Sequence, residues 1–279
     1  MISILILTFN EAANLPACLA ALKWSDDILV VDSHSTDNTV AVARAAGARV
    51  LQNRFVNFAA QRNFGLEQGG LKHEWVLHLD ADELVTPEFV AELRQVVQTP
   101  ALDAFRVPSK MMFQGRWLKH SGMYPTYQVR FGRRDKLKFV QVGHGQREDL
   151  PPERLGTLRE ALLHFSFSKG IADWVIRHNR YSTDEARHFV SEVAGRPLDW
   201  PGLFSAGDAV RRRRALKQLA FHLPFRAALR FFYMFVLKRG FLDGRPGYHY
   251  CRLLAFYEYL VSLKIQELRA KPFDLKTSL

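Results

Sequence analysis

The amino-acid sequence predicts an α/β protein. A mostly parallel, doubly wound sheet of Rossmann-like build comes first, then a mixed-sheet extension, then a basic helical C-terminal region. Three observations carry this. Short β-branched runs alternate four times with helical spacings in the first hundred residues, which is the pattern of βα units. From residue 103 to about 167, apolar runs follow one another with Gly, Pro and charge between them and no helical spacing. From about 169 the spacing turns helical and basic residues accumulate.

Taken in order, "ISILILTF" is apolar throughout, as a strand buried on both faces requires. Asn10 and Glu11 follow, and "AANLPACLAALK" has helical spacing. "DILVVDS" is the second strand, and "TDNTVAVARAAG" a helix ending at Gly47. "ARVLQ" is the third strand, and "NFAAQRNFGLEQ" a helix ending at Gly69-Gly70. "EWVLHLDAD" is the fourth strand, and "TPEFVAELRQVVQ" a helix with Thr86 as cap and Pro87 at its first position. In the extension, "DAFRVPSKMMF", "YQVRFGRR", "KFVQVGHG" and "ALLHFSF" read as strands. "KGIADWVIRHNRYSTDEARHFV" is one amphipathic helix, followed by the linker "GRPLDWPGLFSAG". Two further helical stretches, "RRRRALKQLAFHLPFRAALRFFYMFVLKRG" and "HYCRLLAFYEYLVSLKIQELRA", complete the chain. The expected domains are residues 1–168, with halves 1–100 and 101–168, and residues 169–279.

At 279 residues and 48% hydrophobic content the chain can build one large or two small cores. The net charge of +11 is unevenly placed: residues 206–279 hold fifteen Lys/Arg against five Asp/Glu. That asymmetry points to an anionic surface or substrate at one end of the molecule. The segment containing "LAFHLPFRAALRFFYMFVLK" interleaves aromatics with Arg and Lys, as an amphipathic helix at an anionic bilayer surface does; a helix pair packed on the rest of the protein explains the same pattern. Nucleic acid is not expected as a partner, because no reading module accompanies the basic residues. Cys18 and Cys251 each lie in apolar helical patterns and read as small core residues in a reducing compartment. No apolar run approaches the roughly 20 residues that span a bilayer. "MISILILTFNE" has neither the basic region nor the cleavage site of a signal peptide.

The polar residues collect at the carboxyl ends of the predicted strands, where open parallel sheets bind ligands. The first strand ends in Thr8, Asn10 and Glu11. The second ends in Asp32, with Ser35 and Asp37 close by, and the fourth ends in Asp80, Asp82 and Glu83. Three carboxylates within four positions need compensation for their repulsion and desolvation. Neither a dinucleotide fingerprint nor a P-loop is present. Asp-x-Asp at a strand end offers another route, holding Mg²⁺ or Mn²⁺ through hard oxygens so that the metal takes up a diphosphate. Plainer readings stand beside these: Asp80 and Asp82 as solvated turn residues, Asp37 as a helix cap, Arg62 paired with Glu67 or Asp80, and His164 as a hydrogen-bonded core histidine.

"ILTFNEAANLPACLAAL", "ILVVDSHSTDNTVAVA", "AAQRNFGLEQ" and "WVLHLDADELVTPEF" resemble glycosyltransferase family 2, the inverting sugar transferases of the GT-A fold. The branch resembled is that of bacterial enzymes extending lipopolysaccharide core or surface polysaccharide. "YSTDEA" and "KRGFLDGRPGYHYCRLLAFYEY" extend the resemblance loosely to residue 265. The resemblance implies a UDP-sugar donor, an acceptor on a lipid-linked or lipopolysaccharide-core glycan, and a site on the inner face of the cytoplasmic membrane, reached through residues 206–279. Residues 1–100 would then bind the nucleotide sugar and 101–168 the acceptor. Thr8, Asn10 and Glu11 would line the nucleotide pocket, Asp32 would contact the uridine, and Ser35 and Asp37 would shape the same loop. Arg62 would lie near the base or diphosphate, and Asp80, Ala81 and Asp82 would form the donor and metal motif. His164 is a further candidate for the metal or the diphosphate. For the base that deprotonates the acceptor, "GHGQREDLPPE" offers Glu148 and Asp149, with His144 as another candidate. Two other classes compete. A phosphatase with Asp-x-Asp on a parallel sheet would carry that motif on its first strand, and a non-catalytic membrane adaptor would bind no nucleotide.

Overall fold

The computed structural model describes residues 1–98, 101–142, 145–193, 197–205, 207–208, 211–212, 215–216, 218–219, 223 and 225–270. The chain divides into two units, Met1–Lys119 with Met123–Ser168, and His120–Gly122 with Lys169–Leu279.

In the first unit the alternation runs β1 (Ile2–Thr8), α1 (Leu15–Ala20), β2 (Ile28–Asp32), α2 (Thr39–Ala45), β3 (Arg49–Gln52), α3 (Phe58–Gln68), β4 (Trp75–Asp80), β5 (Glu83–Leu84) and α4 (Pro87–Val96). All seven residues of β1 are buried because its two faces serve different cores. Ile2, Ile4 and Ile6 pack with Leu15, Cys18 and Leu19 of α1 and with Phe89, Val90 and Leu93 of α4. Leu5 and Leu7 pack with Leu29, Val31 and Val76 against Phe64 and Leu66 of α3. Each such aliphatic side chain contributes about 1.5–3 kcal/mol on burial. Helix α3 lies close enough that a Cβ on Gly65 would meet Leu5 Cδ1 at 2.4 Å. Thr86 caps α4 by accepting a hydrogen bond from Phe89 N (3.2 Å).

The extension supplies β6 (Ala104–Phe113), β7 (Arg116–Trp117), β8 (Thr126–Arg133), β9 (Phe139–Val142), β10 (Gly145–Glu148), β11 (Leu155–Thr157) and β12 (Leu162–His164). The main sheet runs β3-β2-β1-β4-β8-β6-β12-β5, with β7 and β11 also on β6, and β9 and β10 form a separate pair. β3, β2, β1 and β4 are parallel; β8 runs antiparallel to both β4 and β6. The mixed extension is therefore continuous with the parallel half. β5 is separated from β4 by three strands, at the end of the sheet, and pairs antiparallel with β12, His164 opposite Glu83.

The second unit contains α5 (Gly170–His188), a π turn over Phe189–Val193, α6 (Trp200–Leu203), α7 (Arg226–Phe232), a π turn over Tyr233–Leu237 and α8 (Gly244–Arg269). Ala186, Phe189, Val261 and Ile265 form its buried cluster. Residues 120–122 belong here because the buried Asp243 carboxylate accepts hydrogen bonds from His120 N (3.1 Å), Ser121 N (2.7 Å) and Ser121 Oγ (2.6 Å). In the long stretch expected from Arg211 to Gly240, the described residues 211–212, 215–216 and 218–219 are helical, Leu223 is a bend, and helix resumes at Arg226, where the left-handed Phe225 (φ 55°) precedes α7. Arg213 and Arg214 lie outside the described residues.

At the amino ends of the parallel strands, Asp27 is 2% exposed. Its carboxylate accepts from Ser3 Oγ (2.5 Å), Lys72 N (2.8 Å) and Arg49 Nη2 (2.7 Å), joining β1, β3 and the approach to β4. Burial alone would raise this pKa, but the three donors outweigh it and hold the group below the usual aspartate value. Asp27→Ala is expected to lower unfolding free energy by about 2–4 kcal/mol, measured by urea denaturation. A depressed pKa means that the stabilisation is complete above pH ~4 and is lost as pH falls through the folded value. The wild-type advantage over Asp27→Asn should therefore shrink below pH ~4; a constant difference between pH ~7 and ~3 would refute this account.

Candidate active site

Thr8, Asp32 and Asp80 end three neighbouring parallel strands, in register as Thr8 with Asp32 and Leu7 with Asp80. Two strand spacings, about 10 Å, separate the outer pair. Asp32 is fully buried, and its oxygens accept from Thr8 Oγ1 (3.0 Å), Ser35 N (2.9 Å), Ser35 Oγ (2.5 Å) and Gln52 Nε2 (3.2 Å). All four acceptor positions of a carboxylate are thereby used, so Asp32 holds the loop after β2 in place. Asn10 adopts a left-handed backbone (φ 55°), which Asn tolerates better than most residues. Its N–H donates to Ser35 Oγ (2.8 Å), and its Oδ1 accepts from Thr36 N (2.8 Å). Glu11 N donates to Thr39 Oγ1 (2.7 Å) and Ala12 N to Asp37 Oδ2 (3.2 Å). Asp37 also accepts from Thr39 N (3.0 Å), at the start of α2. Thr8, Asn10, Glu11, Asp32, Ser35 and Asp37 thus form one stitched pair of loops.

Asp80 stands between two arginines. Arg62 Nη2 of α3 donates to its Oδ1 (2.8 Å), and Arg130 Nη2 of β8 donates to its Oδ2 (2.6 Å), with Arg130 Nη1 3.3 Å from Oδ1. Arg130 also reaches Glu83 Oε1 at 3.5 Å, and Asp80 N donates to Glu83 Oε2 (2.9 Å). Burial, reinforced by Asp80, pushes the Glu83 carboxyl up to about 8. Arg62 is 1% exposed and lies 5.9 Å over the Phe139 ring. Its Nε and Nη1 have no hydrogen-bond partner among the described residues.

Asp82 meets His164 through the backbone. β5 pairs with β12, Phe165 N donates to Asp82 O (2.8 Å), and His164 Nε2 comes to 3.4 Å from Asp82 Oδ2. Burial disfavours the charged imidazole, but the Asp82 contact and the Asp82, Glu83 and Asp80 carboxylates outweigh it, raising its pKa to about 9. Ala81 is buried between the two aspartates.

A cavity of about 470 Å³ is lined by Arg62, Asp80, Arg130, Glu148 and His164 among others. Asp149 lies instead in an adjoining groove of about 410 Å³, which Glu148 also borders. No ion pair involves the Glu148 carboxylate among the described residues. His144 lies outside them.

No three His, Cys, Asp or Glu side chains among the described residues converge as a preformed metal cage. The donor set still fits Mg²⁺ or Mn²⁺. Mg²⁺ in nucleotide enzymes commonly takes one or two carboxylates and completes its shell with substrate phosphates and water. Asp82 oxygen and, once its proton is displaced, His164 nitrogen, 3.4 Å apart, are both ligands that Mn²⁺ accepts.

Sequence reasoning missed Arg130, although it had a signal, a lone arginine in "YQVRFG" between two residues that a strand would bury. It named His164 and Asp82 as candidates for one metal, but not the β5–β12 pairing, across about eighty residues, that brings them together.

Comparisons with known proteins agree in one direction. Residues 3–147 match the family described as Glycosyl transferase family 2. An uncharacterized glycosyltransferase of Rickettsia bellii is 24% identical over 294 residues, covering 99% of this chain and 92% of the relative. The lipopolysaccharide core biosynthesis glycosyltransferase LpsC of Rhizobium meliloti is 28% identical over 218 residues, covering 73% of this chain and 77% of LpsC. Among solved structures, S. aureus TarS 1–349 aligns over 98% of this chain and 94% of its own at 16% identity, with a TM-score of 0.44, too loose a likeness to bear on function.

Replacing Arg130 by Met leaves Asp80 with one guanidinium and Glu83 with none. The expected cost is about 2–4 kcal/mol of unfolding free energy. The second change in Arg130→Met/Asp80→Asn should cost less than Asp80→Asn does alone, with a coupling of at least ~1 kcal/mol in a double-mutant cycle. Strict additivity would show that the contact carries no stabilisation.

Proposed function

The chain belongs to glycosyl transferase family 2 and has its GT-A fold, and from that premise we propose an inverting, metal-assisted transfer of a sugar from a UDP-sugar to a lipid-linked or lipopolysaccharide-core glycan. The observation that carries the reading is a convergence: the unpaired Glu148 carboxylate lines the same cavity as Asp80 and His164, and His164 touches Asp82.

In this reading the loops held by Asp32, Asn10 and Ser35 receive the nucleoside. Asp80, fixed by Arg62 and Arg130, faces the donor. Asp82 and His164 would hold the divalent cation, which when bound supplies Lewis-acid stabilisation of the departing diphosphate. Glu148 takes the proton from the acceptor hydroxyl as its oxygen attacks the anomeric carbon. The bond from that carbon to the diphosphate oxygen breaks as the new glycosidic bond forms, and UDP leaves. Glu148 is preferred to Asp149 as base because Asp149 lies in the neighbouring groove.

The helical unit supports the expected membrane contact. Phe225 is 82% and Leu237 61% exposed, and Phe232 and Phe241 are exposed as well, beside the basic Arg230, Lys238 and Arg239. Apolar side chains set among cations suit the headgroup region of an anionic leaflet. No helix among the described residues is long and apolar enough to cross a membrane.

Calorimetric titration should show UDP binding that requires Mn²⁺ or Mg²⁺ and is lost in Asp82→Ala. Glu148→Gln should keep UDP binding but lower turnover about 10²–10⁴-fold, while Asp149→Asn stays within severalfold of wild type. No nucleotide binding by the folded chain would end the donor assignment, and a larger loss in Asp149→Asn would move the base. In flotation assays the protein should associate with vesicles containing anionic lipid and be released by salt; equal binding to neutral vesicles would argue against electrostatic docking.

A further inference from the structure

The cavity holds more cationic groups than the donor chemistry uses. Arg130 and one nitrogen of Arg62 are spent on Asp80. Half-buried Arg106 of β6 and exposed Arg147 of β10 line the same cavity, and neither forms an ion pair among the described residues. Arg62, 1% exposed, keeps Nε and Nη1 unpartnered. Buried guanidinium N–H groups without acceptors are costly, and a planar oxyanion satisfies them in pairs. The placement is one-sided. The loops assigned to the nucleoside, residues 8–12 and 33–39, contain no Lys or Arg. Arg106, Arg130 and Arg147 all come from the extension, on the side of Glu148. At about 470 Å³ the cavity has room for a sugar unit with a charged substituent.

Resting on the transferase reading, we propose that the acceptor sugar carries an anionic substituent, a phosphate or a carboxylate, bound by Arg106, Arg147 and the free N–H groups of Arg62. Held there, the acceptor presents its hydroxyl to Glu148. Neutral glycans leave the arginines unpaired and are poor acceptors.

The test uses the full chain saturated with UDP and Mn²⁺, titrated calorimetrically with glucose 6-phosphate, glucuronate and glucose. At least one anionic probe should bind while glucose at the same concentration does not, and the stronger probe identifies phosphate or carboxylate as the group recognised. Arg106→Ala/Arg147→Ala should weaken that probe about tenfold or more, with UDP affinity within about twofold of wild type as the control for folding. Arg106→Lys/Arg147→Lys, which keeps charge but loses the fork, should fall between the two. Competition between the anion and UDP would assign these arginines to the donor diphosphate and overturn the proposal. Equal binding of glucose, anion binding unchanged in both variants, or no anion binding would also overturn it. Failure of the wild type to bind UDP would defeat the transferase reading by itself, and the acceptor assignment with it, even where an anion still bound.

Discussion

The contact on which the rest of the site depends is the Asp80 carboxylate held between Arg62 and Arg130. It joins α3, β4 and β8, so a helix on one face of the sheet, the last parallel strand and the first antiparallel strand share one charge cluster. The cluster costs desolvation energy, and an apolar substitute of equal volume would stabilise the fold at least as well. Its value lies in geometry. With Asp80 fixed from both sides, the chain must turn sharply at Ala81, and that turn delivers Asp82 and Glu83 to β12.

The sheet's change from parallel to mixed order completes the delivery. A purely parallel sheet would send the chain after β4 straight into a crossover helix. Here two residues pair first with the far edge of the sheet, and the His164–Glu83 register brings an imidazole against Asp82. Neither residue could be exchanged between positions without flipping the strand's faces. The charges then settle one another: Glu83 is driven toward its neutral form and His164 toward its cation.

The parallel half was legible because its signals are local. β1 is almost wholly aliphatic, Thr86 and Pro87 open α4, and the polar tips of three strands stand out against apolar runs. What was not legible is non-local or short. β5, β7, β10 and β11 are two to four residues long and exist only through their partners. "GQRE" has neither alternation nor branched residues, yet as β10 it pairs with β9 and brings Glu148 to the cavity. The pairing of Arg62 with Asp80 was among the sequence readings, but not its burial with two further guanidinium nitrogens unpartnered among the described residues. Asp32 was expected at the nucleotide; what its type and place did not announce is that its four hydrogen bonds also hold the surrounding loops together.

Charge works at two ranges in this chain. Residues 206–279 carry +10 of the total +11, so the catalytic unit is close to neutral even though four arginines border its cavity. Exposed charges act over about 8 Å at physiological ionic strength, and their effect falls with salt. Buried guanidinium N–H groups such as those of Arg62 act by geometry at hydrogen-bond distance and are screened far less, with half-buried Arg106 between the two cases. The proposed membrane contact and the proposed acceptor site therefore call on different properties of the same residue type. On these proposals, the excess of Lys and Arg on the helical unit would draw the enzyme to an anionic surface, whereas Arg106, Arg147 and the free N–H groups of Arg62 would select what enters the site. Raising the ionic strength would then weaken the proposed membrane contact more steeply than anion binding at the cavity, where exposed Arg147 is screened but buried Arg62 is not.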